Sequence, residues 1–228
     1  MDLQSYSFIL KRLNDHGHSA YFVGGCVRDF LMNRKITDVD IATSAPQKLV
    51  EQIFFDCSID SAASYFGVVT FNRPVICQIA TYRTEKDYKN HRYPRDIKFV
   101  NDVVLDATRR DFTVNAIYMD IYQQLFDPYG GKHDIERRII RCIGDPNIRI
   151  FEDALRILRT IRFSVLLDFD IDPSLLDACI LYSQTLIFLN EDTVQLERWK
   201  LFKANLNKKQ LNRLDTYRKI IPSLEKYF

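Results

Sequence analysis

Apolar positions recur along this chain with two different periods. Up to about residue 144, short runs rich in β-branched and aromatic residues alternate with helical patterns: AYFVGG, DVDIA, FGVVTF, VICQIATYR, DIKFV, the region from Tyr118 to Phe126 and the run from Ile139 to Ile143. These runs predict strands. The opening segment, MDLQSYSFILKRLNDHG, reads as an amphipathic helix, and a short helix is expected from about Cys26 to Met32 behind a double glycine. After Gly144-Asp145-Pro146 the spacing changes, because Ile150, Ala154, Leu155, Leu158, Ile161 and Val165 follow a helical period and no strand is expected beyond them. The pattern therefore predicts an α+β chain in two domains, 1–144 and 145–228, with Asp170 to Pro173 as a break between helices of the second. Thr84 to Asp96, TEKDYKNHRYPRD, fits neither period and is expected to be an exposed, mobile loop.

Composition narrows the class. With 228 residues, 46% of them hydrophobic, the chain can build a substantial core. No stretch approaches the ~18 apolar residues of a membrane helix, and the N-terminus does not read as a signal peptide, so a cytoplasmic protein without a membrane partner is expected. The five cysteines are scattered and form no C-x-x-C pair, which predicts buried thiols rather than disulfides or a zinc site. The formal charge is only +2, yet Glu191 to Phe228 holds nine Lys or Arg against five Asp or Glu, and Lys132 to Arg162 eight against five. That balance suits either RNA contact or ordinary solvated helix faces.

Three groups of residues carry candidate chemistry. In YFVGGCVRDFLMNRKITDVDIAT the second strand bears Asp38 and Asp40, whose spacing puts both carboxylates on one face while Val39 and Ile41 face the core. Oxygen ligands of this kind suit Mg²⁺, with substrate phosphates completing the shell. Gly24 and Gly25 let the backbone approach a ligand closely, and the helix they open directs N–H groups toward an anion, so a triphosphate fits between the two elements. In RRDFTVNA, a helix would cluster Arg110, Asp111 and Asn115 as a cation for phosphate and polar groups for a ribose. In FEDALRILRTIRF, Asp153, Arg156, Arg159 and Arg162 follow one another at spacing three, a carboxylate and three guanidinium groups along one helix face. A carboxylate accepts from an exocyclic amine and a guanidinium donates to a ring acceptor, a combination that matches the edges of cytosine and adenine and leaves guanine and uracil unpaired.

Together GGCVRD, DVD, RRDFTVNA, the DPYGG of Asp127 to Gly131 and EDALRILR resemble the bacterial and eukaryotic class of tRNA nucleotidyltransferases, the CCA-adding enzymes, and their relatives the bacterial poly(A) polymerases. The resemblance runs from about Tyr21 to Phe163, with a weaker echo at Gln195 to Leu206. It implies a nucleotidyltransferase head with a small mixed sheet of the polymerase-β-like superfamily, an all-α neck and part of a body, the tail apparently absent. It also implies addition of C and A from CTP and ATP to the 3′ end of tRNA without a template. By position, Asp38 and Asp40 become the catalytic metal ligands for Mg²⁺. Gly24, Gly25, Arg28, Arg109, Arg110, Asp111 and Asn115 become nucleotide contacts, and Asp153 and Arg156 the base-reading pair. Arg159 and Arg162 would orient that pair or contact phosphate, and Arg92 would belong to a flexible loop that helps the site pass from CTP to ATP. Two departures stand out: Gln78 where relatives often carry a glutamate facing the aspartates, and Asn90-His91-Arg92 where many have Asp-Gly-Arg. The alternatives kept open are a CC-only or A-only enzyme, a poly(A) polymerase, and a non-catalytic RNA-binding module. A homodimer or a partner subunit that supplies the grip on tRNA is also kept open.

Overall fold

A computed structural model describes residues 2–60 and 64–228 of the chain. The first half is built from α1 (Ser7–Asp15), β1 (Ala20–Val23), α2 (Gly25–Leu31), β2 (Asp40–Thr43), α3 (Gln47–Ile53), β3 (Ser58–Asp60), β4 (Val68–Arg73) and β5 (Cys77–Thr81). It continues through β6 (Arg83–Lys89), β7 (Tyr93–Phe99), α4 (Val103–Thr108), β8 (Tyr118–Met119), β9 (Leu125–Phe126) and α5 (Gly131–Arg137). The second half holds β10 (Ile139–Ile140), α6 (Pro146–Glu152), α7 (Leu155–Leu167), β11 (Asp170–Ile171), α8 (Pro173–Leu181), α9 (Glu191–Phe202) and α10 (Lys208–Ile220). Two compact units result, Met1–Glu85 with Ile97–Ile135, and Lys86–Asp96 with Glu136–Phe228.

In the first unit seven strands form a mixed sheet in the order β3-β4-β5-β2-β1-β8-β9, with β2 and β5 parallel and the other neighbours antiparallel. The alternation expected of a half-buried strand is plain. Ile41, Ile79, Val69, Phe71 and Phe22 point to one face, where Ile9, Leu10 and Leu13 of α1 and Val50 and Ile53 of α3 cover them. The opposite face is only partly covered, by a smaller cluster of Val23, Ala42, Tyr82, Ala107 and Tyr118. Asp40 opens β2 on that second face, and the parallel register sets it beside exposed Gln78 of β5.

In the second unit α7 is the central element, with Ile157, Leu158, Ile161 and Val165 fully enclosed. Asp145 and Asp172 cap α6 and α8 by accepting from the amides of Asn147 and Ser174, each followed by proline at the first helical position. Two strand expectations are corrected here. β11 lies beyond residue 145 and pairs in parallel with β10, and Thr84 to Asp96 is not an irregular loop but most of a two-stranded ribbon, β6 and β7. The base of the ribbon belongs to the first unit and its tip, Lys86–Asp96, to the second.

Among the described residues no helix is long and apolar enough to cross a membrane. All five cysteines are free thiols, and Cys57 alone is not buried.

Candidate nucleotide site

The turn from β1 into α2 explains the double glycine. Gly24 sits at φ 80° and ψ −140°, which side chains with a Cβ rarely adopt, and a Cβ added there would stand 3.3 Å from Oδ2 of Asp40. A Cβ on Gly25 would stand 3.5 Å from Nη2 of Arg28. The glycine pair thus leaves a cradle with a carboxylate on one side and a guanidinium on the other. Arg28 is nearly buried, donates from Nη1 to Oδ1 of Asn115 at 2.7 Å, and pairs with Asp29 at 2.8 Å. Asn115 in turn donates to Oδ1 of Asp111 at 3.1 Å. Arg28, Asn115 and Asp111 therefore form one chain of contacts, although the geometry that gathers them is not a helix. α4 ends at Thr108, and only a single 3-10 turn, Thr113–Asn115, follows.

That turn is held by the DPYGG segment. Asp127 accepts from the amides of Gly131 and Lys132 at 2.7 and 2.8 Å and so caps α5. Gly131 packs so closely that an added Cβ would come within 2.1 Å of the Thr113 carbonyl oxygen, and Thr113 Oγ1 donates to Asp134 at 2.5 Å.

Asp38 and Asp40 differ more than their spacing suggests. Asp40 begins β2 and is half-buried, whereas Asp38 precedes the strand, is exposed, and accepts from the Thr37 hydroxyl at 3.0 Å. Val39 and Ile41 are buried between and behind them, as expected. Among the described residues no group of three or more His, Cys, Asp or Glu is arranged to hold a metal. Two hard oxygen donors, one of them exposed, suit a divalent cation that keeps water and phosphate ligands.

Arg109 and Arg110 are drawn to a residue that sequence reasoning missed. Asp106 is fully enclosed, accepts from Arg109 Nε at 2.9 Å, Arg110 Nη2 at 3.0 Å, the Tyr118 hydroxyl at 2.8 Å and the Arg83 amide at 3.2 Å. Burial alone raises its carboxyl, but Arg110 and Arg109 outweigh burial and hold it down at about 2. The spacing of Asp106 three and four residues before the arginines was the available signal.

In the second unit the helix breaks where a single face was expected. Asp153 has φ −140° and ψ 100°, ends α6, and accepts from the Leu155 amide at 3.0 Å, so Asp153 introduces α7 rather than lying on it. Arg92 from the ribbon donates to its other oxygen at 3.1 Å. Burial pushes the Asp153 carboxyl above its usual value, against the opposing pull of Arg92 and Arg156. Arg156 donates to the Arg149 carbonyl at 2.6 Å and to Tyr88 at 3.5 Å. Arg162 does not continue the row. It is buried on α7, donates to Glu197 of α9 at 2.6 Å, and lies 4.2 Å over the Phe163 ring. Arg159 remains half-buried, 5.3 Å from the same ring. Glu197, missed in the sequence, is legible afterwards as a charged residue on the Val194, Leu201 face of α9.

The mixed α+β head, with its glycine cradle beside a strand that begins in aspartate, is a nucleotidyltransferase head domain. The poly A polymerase head domain family matches residues 20–141, and the chain belongs to that family. It is 41% identical over 206 residues to a CCA-adding enzyme of Geobacillus sp. (strain WCH70), covering 90% of this chain and 51% of that protein. A Bacillus pumilus CCA-adding enzyme is 37% identical over 220 residues, covering 96% of this chain and 55% of that one. Among solved structures, the Bacillus stearothermophilus CCA-adding enzyme in complex with CTP superposes with a TM-score of 0.79 at 38% identity, covering 88% of this chain and 49% of that one. The chain spans about half the length of the curated relatives it matches.

Proposed function

We propose that the chain transfers nucleotides without a template, adding C and A from CTP and ATP to the 3′ end of tRNA. The observation that carries this reading is the glycine cradle between the Asp40 carboxylate and the Arg28 guanidinium. Its two charges are those a metal-bound triphosphate needs. The similarity to CCA-adding enzymes, one of them solved with CTP, supports the choice of substrate.

In the reaction the terminal hydroxyl oxygen of tRNA bonds to the α-phosphorus, the bond from that phosphorus to the bridging oxygen breaks, pyrophosphate leaves, and the hydroxyl proton passes to solvent. Asp38 and Asp40 would hold Mg²⁺, which when bound polarises the phosphate and offsets charge on the leaving pyrophosphate. Gly24 and Gly25 admit the phosphates close to the backbone. Arg28, steadied by Asp29 and Asn115, presents its guanidinium to phosphate oxygens, and Asp111 and Asn115 serve the ribose. Arg109 and Arg110, tied to Asp106, shape the wall of the site and add positive potential. Asp153 accepts from the exocyclic amine of cytosine or adenine and Arg156 donates to the ring acceptor, with Arg159 beside them. A cytoplasmic location is part of the same proposal.

The test incubates the purified chain with Mg²⁺, tRNA lacking its CCA end, and each labelled nucleotide singly and in pairs, with the products read on a sequencing gel. C followed by A is expected, with no incorporation by Asp40→Ala. Equal use of UTP or GTP, or undiminished incorporation by Asp40→Ala, would refute the proposal. The matched family also includes poly(A) polymerases, and a ladder of A residues on the same gel would select that activity instead.

A further inference from the structure

Strand register lines up a polar row on the second face of the head's sheet, starting at the cradle. Asp40 of β2 stands opposite Val23 of β1 on one side and Gln78 of β5 on the other, Gln78 opposite Thr70 of β4, and Thr70 opposite Asp60 of β3. Residues opposite one another share a face, so Asp40, Gln78, Thr70 and Asp60 turn away from the core that Ile41, Ile79 and Val69 enter. The Gln78 amide donates to the Val39 carbonyl at 3.0 Å, which pins this rung directly beside Asp40. Gln78 and Asp60 are exposed, and Asp40 and Thr70 half-buried.

Along that row the position nearest the Asp40 carboxylate is neutral. Neighbouring strands lie about 4.8 Å apart, so the Gln78 side chain reaches whatever Asp40 holds. Asp60, the next carboxylate of the row, is three spacings from Asp40, roughly 14 Å. Among the described residues no third His, Cys, Asp or Glu joins Asp38 and Asp40 in a cluster able to hold a metal. Two carboxylates alone hold Mg²⁺ weakly, because the ion gives up its waters reluctantly and draws further ligands from substrate phosphates. Gln78 also removes a reason to take up an ion early. Its amide can turn N–H₂ toward a carboxylate or its oxygen toward a cation, so it sets no like charge against Asp40 before an ion arrives. A carboxylate in its place would repel Asp40, and a divalent ion would relieve that repulsion.

We infer that Gln78 decides when the cation is taken up: its neutral side chain keeps the Asp38 and Asp40 pair from retaining a divalent ion alone, so that ion and triphosphate bind as one unit and the phosphates supply the anionic oxygens that Gln78 does not. This rests on the metal role given to Asp38 and Asp40.

Mn²⁺ is the probe, its binding to the nucleotide-free chain followed by loss of the free-ion EPR signal in wild type, Gln78→Glu, and Gln78→Glu combined with Asp40→Ala. Gln78 is exposed between buried Cys77 and Ile79, so the substitution leaves the core untouched. Equilibrium dialysis of labelled CTP against the wild type, in Mg²⁺ and in EDTA, measures the ion that enters with nucleotide. The wild type should show no saturation up to about 1 mM Mn²⁺ and should hold CTP about tenfold more weakly in EDTA. Gln78→Glu should bind Mn²⁺ about tenfold more tightly than wild type, and adding Asp40→Ala should abolish that gain. Saturation of the wild type below about 0.1 mM, or no gain in Gln78→Glu, overturns the inference and leaves the transferase reading standing. A gain that survives Asp40→Ala, or CTP binding indifferent to EDTA, instead overturns the metal role on which both depend.

Discussion

Asp106→Asn is the perturbation that most directly separates scaffolding from substrate contact in the head. The change keeps the size of a fully enclosed side chain and removes its charge from between Arg109, Arg110 and Tyr118. In the wild type the carboxyl is held from its ordinary 3.8 down to about 2. That gap is equivalent to about 2 kcal/mol of folding stability at neutral pH. The amide also turns an N–H₂ group toward guanidinium donors that cannot accept from it, so the full loss should be about 3 kcal/mol.

The pH dependence follows from the direction of the shift. A carboxyl depressed in the folded state contributes fully above its unfolded value near 4 and loses that contribution as pH falls through about 2. Asparagine has no such titration. The difference between the two proteins in urea unfolding, followed by circular dichroism, should be about 3 kcal/mol at pH 7 and about 1 kcal/mol smaller at pH 3. A difference below about 0.5 kcal/mol at pH 7, or one that does not narrow in acid, would refute the hub assigned to Asp106.

Gly131→Ala would drive a Cβ to within 2.1 Å of the Thr113 carbonyl and should destabilise the head by about 2 to 3 kcal/mol, read as a lowered urea midpoint at constant slope. Gly24→Ala meets a positive φ and the Asp40 carboxylate at 3.3 Å; it should lower nucleotide incorporation more than tenfold while costing only about 1 to 2 kcal/mol of stability, so full activity would contradict the cradle. Arg92→Gln removes a cation facing a buried carboxyl that burial already raises, so about 1 to 2 kcal/mol should be lost at neutral pH. That deficit should shrink on acidification as Asp153 takes up its proton, and a deficit that grows in acid would contradict the pairing. Glu197→Gln should cost about 2 to 3 kcal/mol because Arg162 is left buried without its anion, while the preference for C and A over U and G changes little.

Local chemistry was the legible part of the chain. Gly24-Gly25 and Asp40 act through backbone freedom and strand register, both of which are local, and the sheet core follows from alternation in β1, β2, β4 and β5. Most of the ribbon was not legible: RTEKDYK is polar on both faces, only the DIKFV end of the second strand carries a strand-like pattern, and the tip is held by His91 against Phe151 and Phe188, far along the sequence. The helix break at Asp153 escaped notice for the opposite reason. Ile150, Ala154 and Leu158 keep a helical period straight through it, while one carboxylate, capping Leu155, decides that a new helix begins.

A row of arginines in a sequence overstates the positive charge that the folded protein presents. Arg109 and Arg110 stand in RRD as a ready phosphate site, yet buried Asp106 takes both, and Arg109 also reaches Glu85 at 3.4 Å. On α7, Arg162 is turned inward by Glu197, which holds Lys200 as well at 3.3 Å. A buried carboxylate must be compensated, and the nearest guanidinium groups are recruited for that before any ligand arrives. Asp38 and Asp40 differ from Asp106 in exposure: Asp38 is exposed and Asp40 is half-buried at the head of its strand. Water reaches both carboxylates, as the proposed metal role requires. Arginine that is buried with a carboxylate partner is structural before any ligand arrives, and the proposed function draws its metal ligands from the carboxylates that water still reaches.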